Sequence, residues 1–389
     1  MNFGFYQYAD QMTVHPLGVL LLGIAIVWLC ISKRPQMIWP VLFLCCFVSP
    51  AQRIVIGGID FSFLRILMSI AMVHLALSGA WATYKAHLID KLFVLSACIP
   101  VVLCLARGQT NMLMFHIGAG GDIVFCYFFA RLTIKSLEDI RYFATAAAVI
   151  SVPVACMFLI ENLTQRNPFA LFGGVQEITR MRSGKLRCQG SFSHPIIAGL
   201  WWVTLLPIIV SLWWSRFKSP VCGILAVVGG TCAFAIILFA NSSTSTSTVL
   251  LLIIMVLLYG VRKSFGYLAW FVLGTCIFLH VISQSGLHHL LFARFSVVTG
   301  GTGYHRFRLY DAALDQFGSW FLIGQSSTRD WGWHLEDVTS ELVSTALYGG
   351  LLGLILYVTF LTWGVRTAWN VVLQSEHNQR LRFTAYAIG

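Results

Sequence analysis

Charge is scarce in this sequence. Of 389 residues, 11% are Asp, Glu, Lys or Arg, against roughly a quarter in a typical soluble domain. Acids are scarcer than bases, 15 against 26. Sites for common soluble chemistry are also missing. There is no CxxC or CxxH spacing for zinc, no HExxH, no GxxxxGK[ST] phosphate loop and no GxSxG nucleophile turn. The absence of a DxD pair removes the usual metal site for a sugar nucleotide. The glycine-rich stretch at 300–304 lacks a flanking strand and reads as a turn. Of eleven cysteines, ten sit in or beside apolar runs. Cys188 alone falls in a polar loop, with no partner in its compartment. That excludes a disulfide framework and leaves the cysteines as small buried side chains. No internal repeat is visible, and the one low-complexity tract is SSTSTST at 242–248.

What the sequence has in quantity is apolar length. Hydrophobic residues make up 58%, and mean hydropathy is +0.78. These values exclude a water-soluble enzyme and a disordered chain. They predict an all-α polytopic membrane protein. A span needs about 20 mostly apolar residues. Twelve candidates run near 15–32, 37–49, 61–80, 91–106, 114–130, 141–160, 195–214, 220–240, 246–261, 266–283, 342–364 and from 382 onward. Pro40 and Pro50 bracket the short second one, and the twelfth has only begun at Gly389. The expectation is therefore about 11–12 transmembrane helices. No basic region precedes the first run, which reads as an uncleaved anchor. The organisation is N-terminal helices over 1–160, a basic loop over 161–194, central helices over 195–283, a large loop over 284–341 and C-terminal helices over 342–389.

Lysines and arginines in short connections set the orientation. Lys33, Arg34, Lys85, Lys91, Arg131, Lys135, Arg141, Arg216, Lys218, Arg262, Lys263, Arg366, Arg380 and Arg382 all follow odd-numbered spans. The alternate short connections carry Arg53, Arg107 or no cation. Odd-numbered spans thus end in the cytoplasm, and both long loops lie outside. The net charge of +11 is then a record of topology. Asp90, Glu138, Asp139 and Glu376 are the only acids on the cytoplasmic side, and nucleic acid is not an expected partner.

Cations on the outer side run against this rule. The first loop carries Arg166, Arg180, Arg182, Lys185 and Arg187; the second carries Arg294, Arg306, Arg308 and Arg329. Large loops cross regardless of charge, which is one explanation. The other is an anion site suited to phosphate or pyrophosphate. In RCQGSFSHPIIAGL, Gly190 permits a tight backbone approach. His194-Pro195 stands where a helix begins, either as a cap or as part of an anion site at a helix N-terminus. In the second loop, Phe307, Tyr310, Leu314 and Phe317 share one helical face, which predicts a helix on the membrane surface carrying Arg306 and Arg308. If 334–341 is helical, His334, Asp337 and Glu341 fall on one face. An acid there serves as a general base or simply starts the next helix, with Asp337 or Ser340 as cap and Glu341 in the first turn. Within the spans, Arg65 and Asp122 are costly unless paired or snorkelling, and the glycines of GAGGD allow close helix approach. His74, His116 and His280 read as packing residues.

Three stretches together resemble the O-antigen ligase and polysaccharide polymerase superfamily of bacterial inner-membrane glycosyltransferases. They are RCQGSFSHPIIAGL, HRFRLYDAALDQFGSWFLIGQ and DVTSELVSTALYGGLLGLI. Their order matches over about 180–365, and the HP and DVTS forms look closest to the exopolysaccharide polymerase branch. The resemblance implies a GT-C-like architecture with a large, partly helical periplasmic loop. It implies a donor glycan on undecaprenyl pyrophosphate, a growing polysaccharide or lipid acceptor, and no metal or other cofactor. A chain-length regulator is a candidate partner beside the bilayer itself. By motif position Arg306 would hold the pyrophosphate, with Arg308, Arg187, Arg180 and His194 as further anion-binding candidates. Asp337, His334 and Glu341 are the candidate catalytic residues. The sequence departs from the ligase pattern: Thr339 and Ser340 stand where ligases carry His-Asn, and SSTSTST replaces an arginine after the eighth span. A polymerase is expected first, a ligase second and a lipid-linked oligosaccharide transporter third.

Overall fold

The computed structural model describes residues 12–56, 59–182, 184–215, 219–282, 302–375 and 379–388. Every apolar run named above carries a helix. These are α1 (Pro16–Ile31), α2 (Ile38–Phe47), α3 (Phe63–Leu77), α4 (Leu88–Ala106), α5 (Thr110–Thr133), α6 (Leu137–Thr164), α7 (Pro195–Val210), α8 (Pro220–Phe239), α9 (Ser243–Leu258) and α10 (Phe265–Ile282). After them come α11 (Thr302–Asp315), α12 (Glu341–Gln374) and α13 (Gln379–Ile388). Seven are long and apolar enough to cross a membrane: α4, α5, α6, α7 with its 3-10 extension to Ser215, α8, α9 with its extension to Ser264, and α12. Shorter apolar helices add Pro16–Ile31, Phe63–Leu77 and Ala269–Leu279. The chain is an all-α polytopic membrane protein. Aliphatic side chains on α9 and α10, such as Leu257 and Ile277, stand exposed. Lipid is the solvent that such surface requires.

The chain divides into two compact units. The larger holds residues 3–97, 117–246 and 362–389. Its centre is α6 packed on α8, with α7 beside α8 and α2 beside α6. Small residues make this possible. Ala144, Ala147, Ala148 and Ser151 of α6 are buried, and a Cβ on Gly229 of α8 would lie 2.6 Å from that of Ala148. The Ser151 hydroxyl reaches the Gly229 carbonyl at 3.2 Å. Close backbone approach of this kind replaces the hydrophobic driving force that lipid removes. Gly199 of α7 meets Ser245 in the first turn of α9. The SSTSTST tract therefore both starts α9 and supplies its close contact.

Between α2 and α3 the chain makes an antiparallel hairpin, β1 (Arg53–Ile56) with β2 (Ile59–Ser62), which the hydropathy pattern did not reveal. Arg53 is buried and pairs with Asp60 at 2.5 Å. Arg65 and Asp122 form a mutual pair rather than a snorkelling cation and a separate acid. Nε and Nη2 each donate to one carboxylate oxygen at 2.7 Å. Gly118 makes room: a Cβ there would stand 3.0 Å from the guanidinium.

The smaller unit holds residues 98–116 and 247–361. The span expected at 342–364 lies within α12, which runs on to Gln374 and is interrupted at Gly350 (φ 59°, ψ −166°). The freed backbone groups are taken by the chain that follows α11. Leu351 N–H donates to Phe321 O at 2.8 Å, and Gln325 N–H to Leu347 O at 2.7 Å. The arginine between α4 and α5 secures that segment, with Arg107 Nη1 donating to Ile323 O at 2.5 Å.

Candidate functional site

In the smaller unit, α11 carries Arg306 and Arg308 of the second loop toward the approach to α12. Its buried face is Leu309 and Ala313, which join Trp320, Trp331, Leu335, Val343, Ala346 and Leu347 in one apolar cluster. The face expected from spacing to lie on the membrane surface is a separate one: Leu314 and Phe317 are exposed, while Tyr310 packs partly against the cluster. Apolar residues occur on both sides of α11, so periodicity alone could not choose. The expected turn at 300–304 is corrected, since Thr302, Gly303 and Tyr304 lie in the first turn of α11. Residues 284–301, including Arg294, lie outside the described residues.

Two contacts dock the head of α11 onto 337–340. His305 Nε2 lies 2.9 Å from the Asp337 carbonyl oxygen. A carbonyl only accepts, so the proton sits on Nε2. The Tyr310 hydroxyl meets Ser340 Oγ at 2.7 Å. Arg306 and Arg308, either side of Phe307, are half-buried. The Arg308 guanidinium lies against the bend at Gly332, where a Cβ would stand 3.2 Å from Nη2. Thr339 Oγ1 is sealed from solvent with no hydrogen-bond partner among the described residues. A buried orphan hydroxyl is uncommon and marks a place where a polar group is wanted.

The expected helical register of His334, Asp337 and Glu341 does not form. Residues 333–336 are a turn, 338–340 carry no regular structure, and α12 begins at Glu341. Gly332 (φ 136°) and His334 (φ 61°) adopt left-handed backbone, which a helix forbids. Thr328 Oγ1 donates to Leu335 O at 2.6 Å and holds the turn. His334 is exposed and lies tilted against the Trp333 ring, ring centres 4.2 Å apart. Asp337 is half-buried, and Glu341 is exposed in the first turn of α12. Ser340 takes the cap position, its carbonyl accepting from Ser344 N–H at 2.9 Å. The neighbouring ion pair Arg329–Glu336, at 3.3 Å, is solvent-exposed and contributes little.

The remaining candidates, Arg180, Arg187 and His194, belong to the larger unit. His194 caps α7: its Nδ1 accepts from Ile196 N–H at 3.2 Å, with Pro195 in the first turn. Gly190 has φ 58°, and a Cβ there would fall 2.3 Å from the Phe158 ring. Arg180 and Arg187 flank the short hairpin β3 (Met181–Arg182) and β4 (Lys185–Leu186). Burial, and then the like charge of Arg182, push the Arg187 guanidinium below its ordinary value. Sequence reasoning missed the residue that organises this loop. Glu161, fully buried, accepts from Thr179 Oγ1 at 3.0 Å and from the backbone N–H groups of Gln189 and Gly190, each at 3.1 Å. The available signal was a lone acid in the last turn of an apolar helix, where the helix dipole disfavours it. Among the described residues no group of three metal-ligating side chains gathers. Comparison with protein-family models, with curated proteins and with solved structures gives no match.

Proposed function

We propose that the chain is a glycosyltransferase of the bacterial inner membrane that joins oligosaccharide repeat units carried on undecaprenyl pyrophosphate. In this reading it has 11–12 crossings in a GT-C-like arrangement, with its site on the periplasmic face. The observation that carries the reading is the docking of the α11 head, with Arg306 and Arg308, onto the 337–340 segment. Transfer needs two groups at one place. The bond from the anomeric carbon to pyrophosphate breaks, and the leaving group takes the electron pair. Arginines stabilise that charge where water is partly excluded. The acceptor hydroxyl attacks the anomeric carbon and gives its proton to a base. Asp337 is the base this arrangement favours, because it is half-buried and adjoins the docked backbone. Exposed His334 and Glu341 are less suited. Arg187, Arg180 and His194 remain further candidates for the diphosphate.

The test is Arg306→Ala. Polymer should disappear, by several orders of magnitude in rate, while the protein still inserts. Polymer of normal length from this variant would overturn the assignment. Deleting the gene separates the neighbouring activities. Single lipid-linked repeats should accumulate on the outer face; full-length unattached polymer would favour a ligase moving finished glycan to lipid A core or protein. One observation favours a transporter, the discontinuity in α12 at Gly350. Transporters use such breaks in pairs. Repeats trapped on the inner face of the deletion strain would support that reading instead.

A further inference from the structure

The β3–β4 hairpin holds four cations within eight residues: Arg180, Arg182, Lys185 and Arg187. Among the described residues none of the four makes an ion pair. Glu177, their nearest acid in sequence, is taken by Arg166 at 3.3 Å. The depth of the hairpin is fixed by backbone bonds to the ends of two spanning helices. On one side, Thr179 N–H donates to Gln165 O at 3.0 Å, immediately beyond α6, and Arg166 bridges to Ile178. On the other, Cys188 N–H donates to Phe239 O, the last residue of α8, at 3.1 Å. Asn241 Nδ2 donates to Leu186 O at 3.2 Å. The hairpin base therefore lies where hydrocarbon gives way to headgroups. Apolar side chains stand exposed among the cations, Ile178 at 73% and Met181 at 58%. Cationic and apolar groups side by side at that depth match a surface with phosphate above and acyl chain below.

We propose that this hairpin binds anionic phospholipid headgroups of the leaflet in which α6 and α8 end, with the four cations on the phosphates and Ile178 and Met181 seated among the upper acyl carbons. The inference does not rest on the glycan-transfer reading.

The experiment uses the full chain in nanodiscs of phosphatidylglycerol and phosphatidylcholine, with a photo-crosslinking residue in place of Met181. Lipid adducts are identified by mass. Phosphatidylglycerol should be enriched among the adducts several-fold over its share of the bilayer, and the enrichment should fall as salt rises. In a chain also carrying R180Q, R182Q, K185Q and R187Q, lipid adducts should persist but revert to the bilayer ratio. Persistence of adducts shows that the hairpin still sits at the surface. Adducts at the bilayer ratio in the parent chain, or no lipid adducts, would overturn the proposal. So would displacement of phosphatidylglycerol by an equimolar amount of polyprenyl diphosphate, which would assign the cations to a lipid-linked diphosphate.

Discussion

The segment between α6 and α7 and the segment between α11 and α12 are held by different chemistry. The first is organised by polar groups. Glu161 gathers a hydroxyl and two backbone N–H groups. Asn167 Nδ2 donates to Gly190 O at 2.8 Å, and the β3–β4 hairpin hangs from the ends of α6 and α8. The second is organised by apolar burial around Leu309, Trp320, Trp331 and Leu335. Polar frameworks fail at single points, because each lost partner orphans a buried group. An apolar cluster loses stability in proportion to the volume removed. The first segment should thus be brittle and the second graded.

The sharpest break is Gly190→Val. Its left-handed backbone disfavours any β-branched residue, and the new side chain would overlap the Phe158 ring. The whole 165–194 segment should lose its structure. Protease added to the side of the membrane on which the segment lies should then cleave it, whereas the parent chain resists. Glu161→Ala comes next. It orphans two backbone donors and one hydroxyl at ~1–3 kcal/mol each. Glu161→Gln keeps the oxygen that takes Thr179 and Gln189 and loses the one that takes Gly190. It should lower the melting temperature by roughly a third as much as alanine does. Equal effects of the two variants would mean that Glu161 acts as packing volume and not as an acceptor.

Leu335→Ala tests the apolar side of the contrast. Leu335 is buried in the cluster, and the change should cost about 2–5 kcal/mol through lost burial and a residual cavity. Protease resistance of the 302–340 segment should weaken without disappearing. Sudden loss of the entire segment would erase the distinction between the two loops.

Much of this architecture is legible in hydropathy, because a span must be long, apolar and helical. The approach at Gly190 and the helix start at His194-Pro195 were also visible, each from a rule about one residue type in one setting; for Arg65 and Asp122 only the cost of a charge within a span was visible, with pairing and snorkelling both open. Long-range partners were not. Glu161 finds its donors 18 to 29 residues away, and no local pattern announces them. The register of His334, Asp337 and Glu341 failed for a local reason that sequence understates. Gly332 permits a bend, but the left-handed backbone at His334 is imposed by the fold around it. The break in α12 had a sign in the Gly349-Gly350 pair, since glycine pairs are frequent kink sites. What closes the break, the 321–325 segment, is a tertiary fact.

The smallest effect expected is at Ser340, where the two chemistries meet. Ser340 stands at the cap position of α12, and replacing a capping serine by alanine usually costs about 1 kcal/mol. Here the hydroxyl faces Tyr310 at 2.7 Å, so the cost should come from the α11 contact. Ser340→Ala and Tyr310→Phe then remove the same hydrogen bond. Each should lower stability by ~1 kcal/mol, and the double variant by little more than either alone. Additive effects would mean that the serine caps its own helix and the tyrosine bonds elsewhere. In that case the His305 contact with the Asp337 carbonyl would carry the docking of the α11 head, and His305→Ala would become the variant that loosens α11 from 337–340.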